Sequence, residues 1–289
     1  MNQPLLLLVA LVALPVVLLM TTAGCKKFEA SAPDTYAVMI GKTPRLRGYW
    51  RLNEGQDATV ASDSSSLAMH GVYKNSTSGN ILFSQPGALV PAGEKADTAP
   101  EFIPNGYGYV DISDTAGRTS PPEFSIECWF KLKQPQPGTE ILLGCYGLNS
   151  AGQMTAGYHI ELDRVPDGST ELVKITGRLN PDIVLEASLG EAPLHEGWHH
   201  VVLTHEVADG GTTRLYVDAS DGTPSVSVAG RRYVPNSKEA HPLRLAAGLG
   251  SPDPPRPANY FYRGLLDEVA LYNVALFDDQ VKEHFNHRL

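Results

Sequence analysis

Basic residues are in short supply. The chain carries 23 Lys and Arg against 32 Asp and Glu, a formal charge of −9, so its field repels phosphate backbones and anionic lipid surfaces alike. Nucleic acid is thereby removed as a partner class. Long helical periodicities are also missing, while 27 Gly and 22 Pro break the chain into short runs rich in β-branched and aromatic residues, the pattern of many strands and turns. No glycine-rich phosphate loop joins a strand to a helix, no G-x-S-x-G elbow is present, and Cys128 and Cys145 lie in apolar runs. Phosphoryl transfer and attack by a serine or cysteine nucleophile therefore have no support. What the sequence does have is 42% hydrophobic residues in a chain of 289, enough for a sizeable core.

No apolar run reaches the roughly 20 residues that a membrane-spanning helix needs. Leu5 to Met20 falls short, contains Pro15 and is followed by the small residues Thr21, Thr22, Ala23 and Gly24, which reads as an export signal. "TTAGCKK" resembles the bacterial lipoprotein signal, in which a cysteine behind small residues receives lipid and becomes the mature N-terminus; Thr22 stands where that signal usually has Leu. The resemblance implies lipidation of Cys25, whose acyl chains, at about 0.8 kcal/mol per buried CH₂, would hold a soluble domain on a membrane. Lys26, in place of Asp, implies the outer membrane or the cell surface. Residues 1–24 are then a signal peptide, 25–45 a polar tether and 46–289 the domain. In that oxidising compartment Cys128 and Cys145 are compatible with either a disulfide or two buried thiols.

From Gly48 onward, turn-rich stretches such as "SDSSSLAMHG", "KQPQPG", "VPDGS" and "ASDGT" separate the β-rich runs. In "FSIECWFKLK" Ile126, Cys128, Phe130 and Leu132 share one face, with Glu127, Trp129 and Lys131 on the other. "RLYVDA" sets Leu215 and Val217 against Arg214, Tyr216 and Asp218, and "GYWRLNE" sets Trp50 and Leu52 against Tyr49 and Arg51. Strands half-buried in this way pack as two face-to-face sheets, so the expected fold is all-β, a two-sheet antiparallel jelly roll. Only the end is helical in pattern, with Phe277, Val281 and Phe285 four apart and Asp278 and Asp279 where a helix N-terminus favours acids.

"YAVMIGKTPRLRGYWRLNE", "SDSSSLAMHGVY", "GYVDIS", "FSIECWFKL", "GWHHVVLTHE", "TRLYVDA" and "GLLDEVALYNVALFDDQV" occur in this order over residues 36 to 289. Their order and spacing resemble the bacterial concanavalin A-like lectin/glucanase superfamily, in its laminin G-like jelly-roll branch. The resemblance implies two antiparallel sheets, frequently a structural calcium, and carbohydrate or protein binding outside the cytoplasm; it does not fix one activity.

Two motifs invite a catalytic reading and fail it. "HEGWH", residues 195–199, matches the zinc-protease pattern H-E-x-x-H, which requires a helix to bring both histidines to one ion. Gly197 and the strand-like "WHHVVLT" disfavour a helix, and in a strand His195 and His199 stand about 13 Å apart. "ELDRVP" places Glu161 and Asp163 where laminarinase-type members carry their first two carboxylates, but Pro166 occupies the place of the third, so the acid/base partner is missing. Both acids are expected to be solvated at a strand end.

Asp267, in "LLDEVALY", alternates with Leu265, Val269 and Leu271 and so falls on an apolar face, with Glu268 on the opposite, solvated one. A carboxylate buried there needs hydrogen bonds, a proton or a cation, and calcium, with its 6 to 8 oxygen ligands, suits it. The resemblance implies a calcium site at this strand, with Asp63 as the second side-chain ligand; the alternative is that Asp267 accepts backbone N–H bonds and Asp63 starts an Asx-turn in "SDSSS". Tyr107, Tyr109, Tyr260, Phe261 and Tyr262 offer rings for sugar stacking or for packing, and the sequence does not locate a ligand site. The expected function is a non-catalytic extracytoplasmic binding module for a glycan or protein ligand. The alternatives are a polysaccharide-active glycosidase or lyase and a purely structural envelope protein.

Overall fold

The structure is a computed structural model that describes residues 35–75, 79–89, 97–113, 117–133, 137–167, 170–179, 182–189, 197–236, 241–249 and 258–288. Residues 1–24, read above as an export signal, and Cys25 lie outside the described residues. In chain order, helix α1 (Tyr36–Lys42) is followed by β1 (Leu46–Trp50), β2 (Val60–Ala61), β3 (Gly71–Lys74), β4 (Ile81–Pro86), β5 (Thr98–Phe102) and β6 (Tyr109–Ile112). Then come β7 (Phe124–Leu132), β8 (Gly138–Leu148), β9 (Met154–Asp167), β10 (Thr170–Leu179), β11 (Ile183–Leu189) and β12 (His199–Glu206). The chain closes with β13 (Thr212–Val217), β14 (Val226–Ala229), β15 (Leu243–Leu245), β16 (Gly248–Leu249), β17 (Ala258–Asn259), β18 (Gly264–Tyr272) and helix α2 (Asp278–Asn286).

Among the described residues, two antiparallel eight-stranded sheets face each other, as expected for a jelly roll. One runs β14-β13-β12-β7-β18-β5-β4, with β1 also on β18; the other runs β11-β10-β9-β8-β15-β6-β3-β2. The core between them holds Trp50, Leu52, Ile126, Cys128, Phe130, Leu132 and Leu215, the faces that strand alternation selects. Cys128 and Cys145 are buried free thiols, which settles the pairing left open by the sequence.

The outer faces of the two sheets differ. That of the first is covered by α1 and α2, so a second core joins Tyr36, Met39 and Ile40 to Trp129, Val202, Ala270, Tyr272 and Val281. Tyr36, Met39 and Ile40 sit three and four apart on one helix face, and Thr35 caps the helix by accepting from the Val38 N–H at 3.3 Å. Helix α1 is thus folded chain from Tyr36, within the stretch 25–45 expected to be a tether. Trp129 and Glu127, on the face expected to be solvated, are wholly buried beneath the helices. At the other end of the chain, Phe277 is not on the buried face of α2 but precedes it, 72% exposed, while Val281 is fully buried. Among the described residues, the outer face of the second sheet carries no such helical cover.

Candidate functional site

Two arrangements stand out, one on each sheet. The first centres on β18, whose nine residues are all buried. Its register with β7 slips between Asp267 and Ala270, and Glu268 takes a left-handed backbone with φ 49°. This β-bulge breaks the two-residue alternation: Asp267 pairs with Trp129 and so lies on the helix-covered side with Ala270 and Tyr272 rather than on the face of Val269 and Leu271, and Glu268 beside it, expected to be solvated, is buried as well. Asp97, at the entry to β5, completes a group of three buried carboxylates with oxygens within 4.8 Å of one another.

Each of the three carboxyls has protein donors, Asp267 among them accepting from the Glu268 N–H at 2.9 Å. Asp267 accepts from the Ala88 N–H at 2.7 Å and Asp97 from the Leu89 N–H at 3.0 Å. Glu268 accepts from the Tyr49 hydroxyl and from Arg51 Nε at 2.9 Å, and the same guanidinium stands 3.5 Å from Asp97. Three carboxyls stand against one guanidinium, so full ionisation would leave an excess of two negative charges. Burial pushes the Asp267 carboxyl well up, reinforced by Glu268 and Asp97 beside it. Glu268 rises to about 7, burial outweighing Arg51 and Tyr49.

A divalent cation matches the excess charge, and the donors are all hard oxygens, the set that calcium takes. Space for it is preserved by Gly87, where a Cβ would fall 2.2 Å from Asp97 Oδ2 and 2.9 Å from Asp267 Oδ2. The residues therefore fit calcium. Asp63 stands outside this trio. Its oxygens accept from the N–H groups of Tyr49, Ser65 and Met69 and from the Ser65 hydroxyl, at 2.7 to 2.8 Å, the pattern of an Asx-turn residue with its acceptors filled.

The second arrangement is a cleft of about 580 Å³ on the uncovered face of the other sheet. Strands β8, β9 and β10 supply its floor, with Ile141, Tyr146, His159, Glu161, Asp163 and Arg178; Leu249 and Tyr260 come from the β16–β17 side. The register aligns His159 with Arg178, and Asp163 with Thr139. Glu161 and Asp163, two apart on β9, share a face in mid-strand rather than standing solvated at a strand end.

Glu161 is 8% exposed and committed to two partners, Arg178 Nε at 2.6 Å and His159 Nε2 at 3.2 Å. Burial opposes ionisation, but these two bonds hold its carboxyl below the ordinary range. Asp163 accepts from the Thr139 hydroxyl at 2.6 Å. Tyr260 is 46% exposed at the cleft, whereas Tyr262 is buried with its hydroxyl donating to carbonyls of Lys131 and Leu265. Phe261 packs edge-on against Tyr107 at 5.1 Å. Of the five rings singled out in the sequence, Tyr260 alone lines the cleft. The signal that marks the cleft, a row of polar side chains crossing three strands, depends on pairing registers that no single stretch of sequence contains.

His195 of the H-E-x-x-H match lies outside the described residues. His199 and His200 begin strand β12 and point apart, His199 Nδ1 to Asp218 at 2.8 Å and His200 Nε2 to Glu127 at 3.0 Å. Glu127 also faces His284 Nδ1 at 2.9 Å and accepts from the Tyr272 hydroxyl at 2.6 Å, which fastens α2 to the sheet.

Residues 104–282 match a protein-family model, Laminin_G_3, described as the concanavalin A-like lectin/glucanases superfamily. No curated protein matches the chain. Among solved structures, the binding domain of botulinum neurotoxin DC in complex with SialylT aligns with a TM-score of 0.51 at 12% identity, over 86% of this chain and 52% of that one. The receptor-binding domain of botulinum neurotoxin D aligns with 0.51 at 10%, over 84% and 52%. Domain 4 of AbnA, a GH43 extracellular arabinanase from Geobacillus stearothermophilus, in complex with arabinotriose, aligns with 0.48 at 17%, over 83% and 98%. This chain thus spans about half the length of the two toxin chains, and the likeness to them is one of fold.

Proposed function

The chain belongs to the concanavalin A-like lectin/glucanases superfamily, and from that premise we propose that it is a non-catalytic carbohydrate-binding module that works outside the cytoplasm. The observation that carries this reading is the cleft on β8, β9 and β10, which no helix among the described residues covers. Its floor offers carboxylates and a guanidinium to sugar hydroxyls, and Tyr260 and Leu249 offer apolar surface to the C–H faces of a sugar ring. Hydrolysis would need one carboxyl to carry the proton that the leaving oxygen takes. Glu161 is kept ionised by Arg178 and His159, so it does not fill that role.

Calcium held by Asp97, Asp267 and Glu268 would neutralise the buried charge and tie β18 to the start of β5, a structural role remote from bond breaking. Lipid on Cys25 would anchor the module at the outer membrane or cell surface.

The test passes the full chain, in mild detergent, over immobilised polysaccharides while reducing ends are followed in the eluate. Retention without new reducing ends is expected. Release of reducing ends would make the protein an enzyme, and passage without retention on any polysaccharide would leave a structural envelope role.

A further inference from the structure

We infer that the cleft selects uncharged sugar chains and excludes uronic, sialic and sulfated ones; this rests on the glycan-binding reading of the same cleft. The floor holds two carboxylates, Glu161 and Asp163, against one guanidinium, Arg178. Among the described residues the carboxylates of the floor thus outnumber its guanidinium by one. Recognition of an anionic sugar calls for a cation whose fork of N–H donors faces the ligand without a competing carboxylate. Arg178 instead spends its Nε on Glu161 at 2.6 Å, and Glu161 sits between it and Asp163 on the floor.

The same pairing extends beyond the cleft. On β10, Lys174 stands 3.3 Å from Glu186, and on β15 Arg244 donates to Asp111 at 2.8 Å. Both are aligned with the floor by strand register, Lys174 opposite Asp163, and Arg244 opposite Gly144, which is itself opposite His159. Each cation of this row thus has a carboxylate beside it, and a polyanion laid across the strands would meet carboxylates of the protein at every step. Sugar hydroxyls, in contrast, donate to carboxylates readily. Asp163 is the acceptor best placed for them, since Thr139 occupies only its Oδ1 among the described residues.

The experiment compares retention of the full chain on neutral polysaccharides (dextran, xylan, mannan) with retention on polygalacturonate, heparin and polysialic acid, at low ionic strength, where attraction to a polyanion is strongest. Retention on at least one neutral chain and on none of the polyanions is expected. Salt-sensitive retention on a polyanion would overturn the selectivity while keeping the glycan reading, and passage through every column would remove both. Asp163→Asn is expected to weaken binding of the retained neutral chain at least about tenfold with the melting temperature preserved, because a charged acceptor is lost. Undiminished neutral binding by this variant would overturn the assignment of Asp163, and Asp163→Lys is expected to admit a polyanion that the native protein rejects.

Discussion

Glu127 and Asp267 are carboxylates of adjacent strands in one sheet, both wholly excluded from solvent, yet they hold charge in opposite ways. Glu127 is met by His200, His284 and the Tyr272 hydroxyl, and although burial works against it, His284 and His200 hold its carboxyl far below the ordinary range. Asp267 is met by two further carboxylates and rises. Equal burial therefore produces opposite outcomes, and the partners decide which. The Glu127 cluster sets its carboxylate against imidazoles and a hydroxyl, whereas the Asp267 cluster sets carboxyls against one another, a repulsion that a bound cation or retained protons would relieve.

The strongest way to break this comparison is to remove Glu127. Glu127→Leu would strand two buried histidines and release α2, and a loss of about 3–5 kcal/mol in denaturant unfolding is expected, with calcium or with EDTA alike. A loss that appeared only in calcium would show that the two clusters are not independent. Next in size is calcium itself. At calcium 100-fold above its dissociation constant the native state gains about 2.7 kcal/mol, so EDTA should lower the melting temperature, and Asp267→Ala or Asp97→Ala should abolish the difference. Asp63→Ala should lower stability equally in both buffers. An unchanged melt with EDTA would remove the ion.

The pH profile, measured in saturating calcium, sharpens the contrast further. The lowered carboxyl of Glu127 contributes stability above its ordinary value of 4.5 that is lost as pH falls. For His284, burial lowers the imidazole but Glu127 more than offsets it, so its raised value contributes stability that is complete below 6.5 and is lost as pH rises past it. Stability from this pair is therefore greatest between about 4.5 and 6.5 and declines on both sides. Glu127→Gln should flatten both limbs; parallel profiles for variant and native protein would contradict the assignment.

The inner faces of the strands were legible in the sequence because alternation is a local signal: Ile126, Cys128, Phe130 and Leu132 all reach the core. That Asp267 is buried was legible from its apolar neighbours, but not its face, since the bulge turns it from the side of Val269 and Leu271 to that of Trp129. Glu268 was not, since a bulge suspends alternation without leaving a turn residue to announce it. Asp97 was not, because it meets β18 from a position 170 residues away. Glu127 and Trp129 read as solvated because nothing in "FSIECWFKLK" says that two helices, one of them within the stretch assigned to a tether, will cover the second face. The cleft residues Glu161 and Asp163 were visible as a pair, but the Arg178 that neutralises one of them is brought in only by the β9–β10 register.

The smallest predicted effect bears most directly on function, because Tyr260 is a half-exposed ring whose removal leaves both buried clusters untouched. Calorimetric titration of the native chain and of Tyr260→Ala with the polysaccharide retained on the columns should show a loss of about 1 kcal/mol, roughly fivefold in affinity, with the melting temperature unchanged. Equal affinities for the two proteins would contradict the placement of the glycan in this cleft.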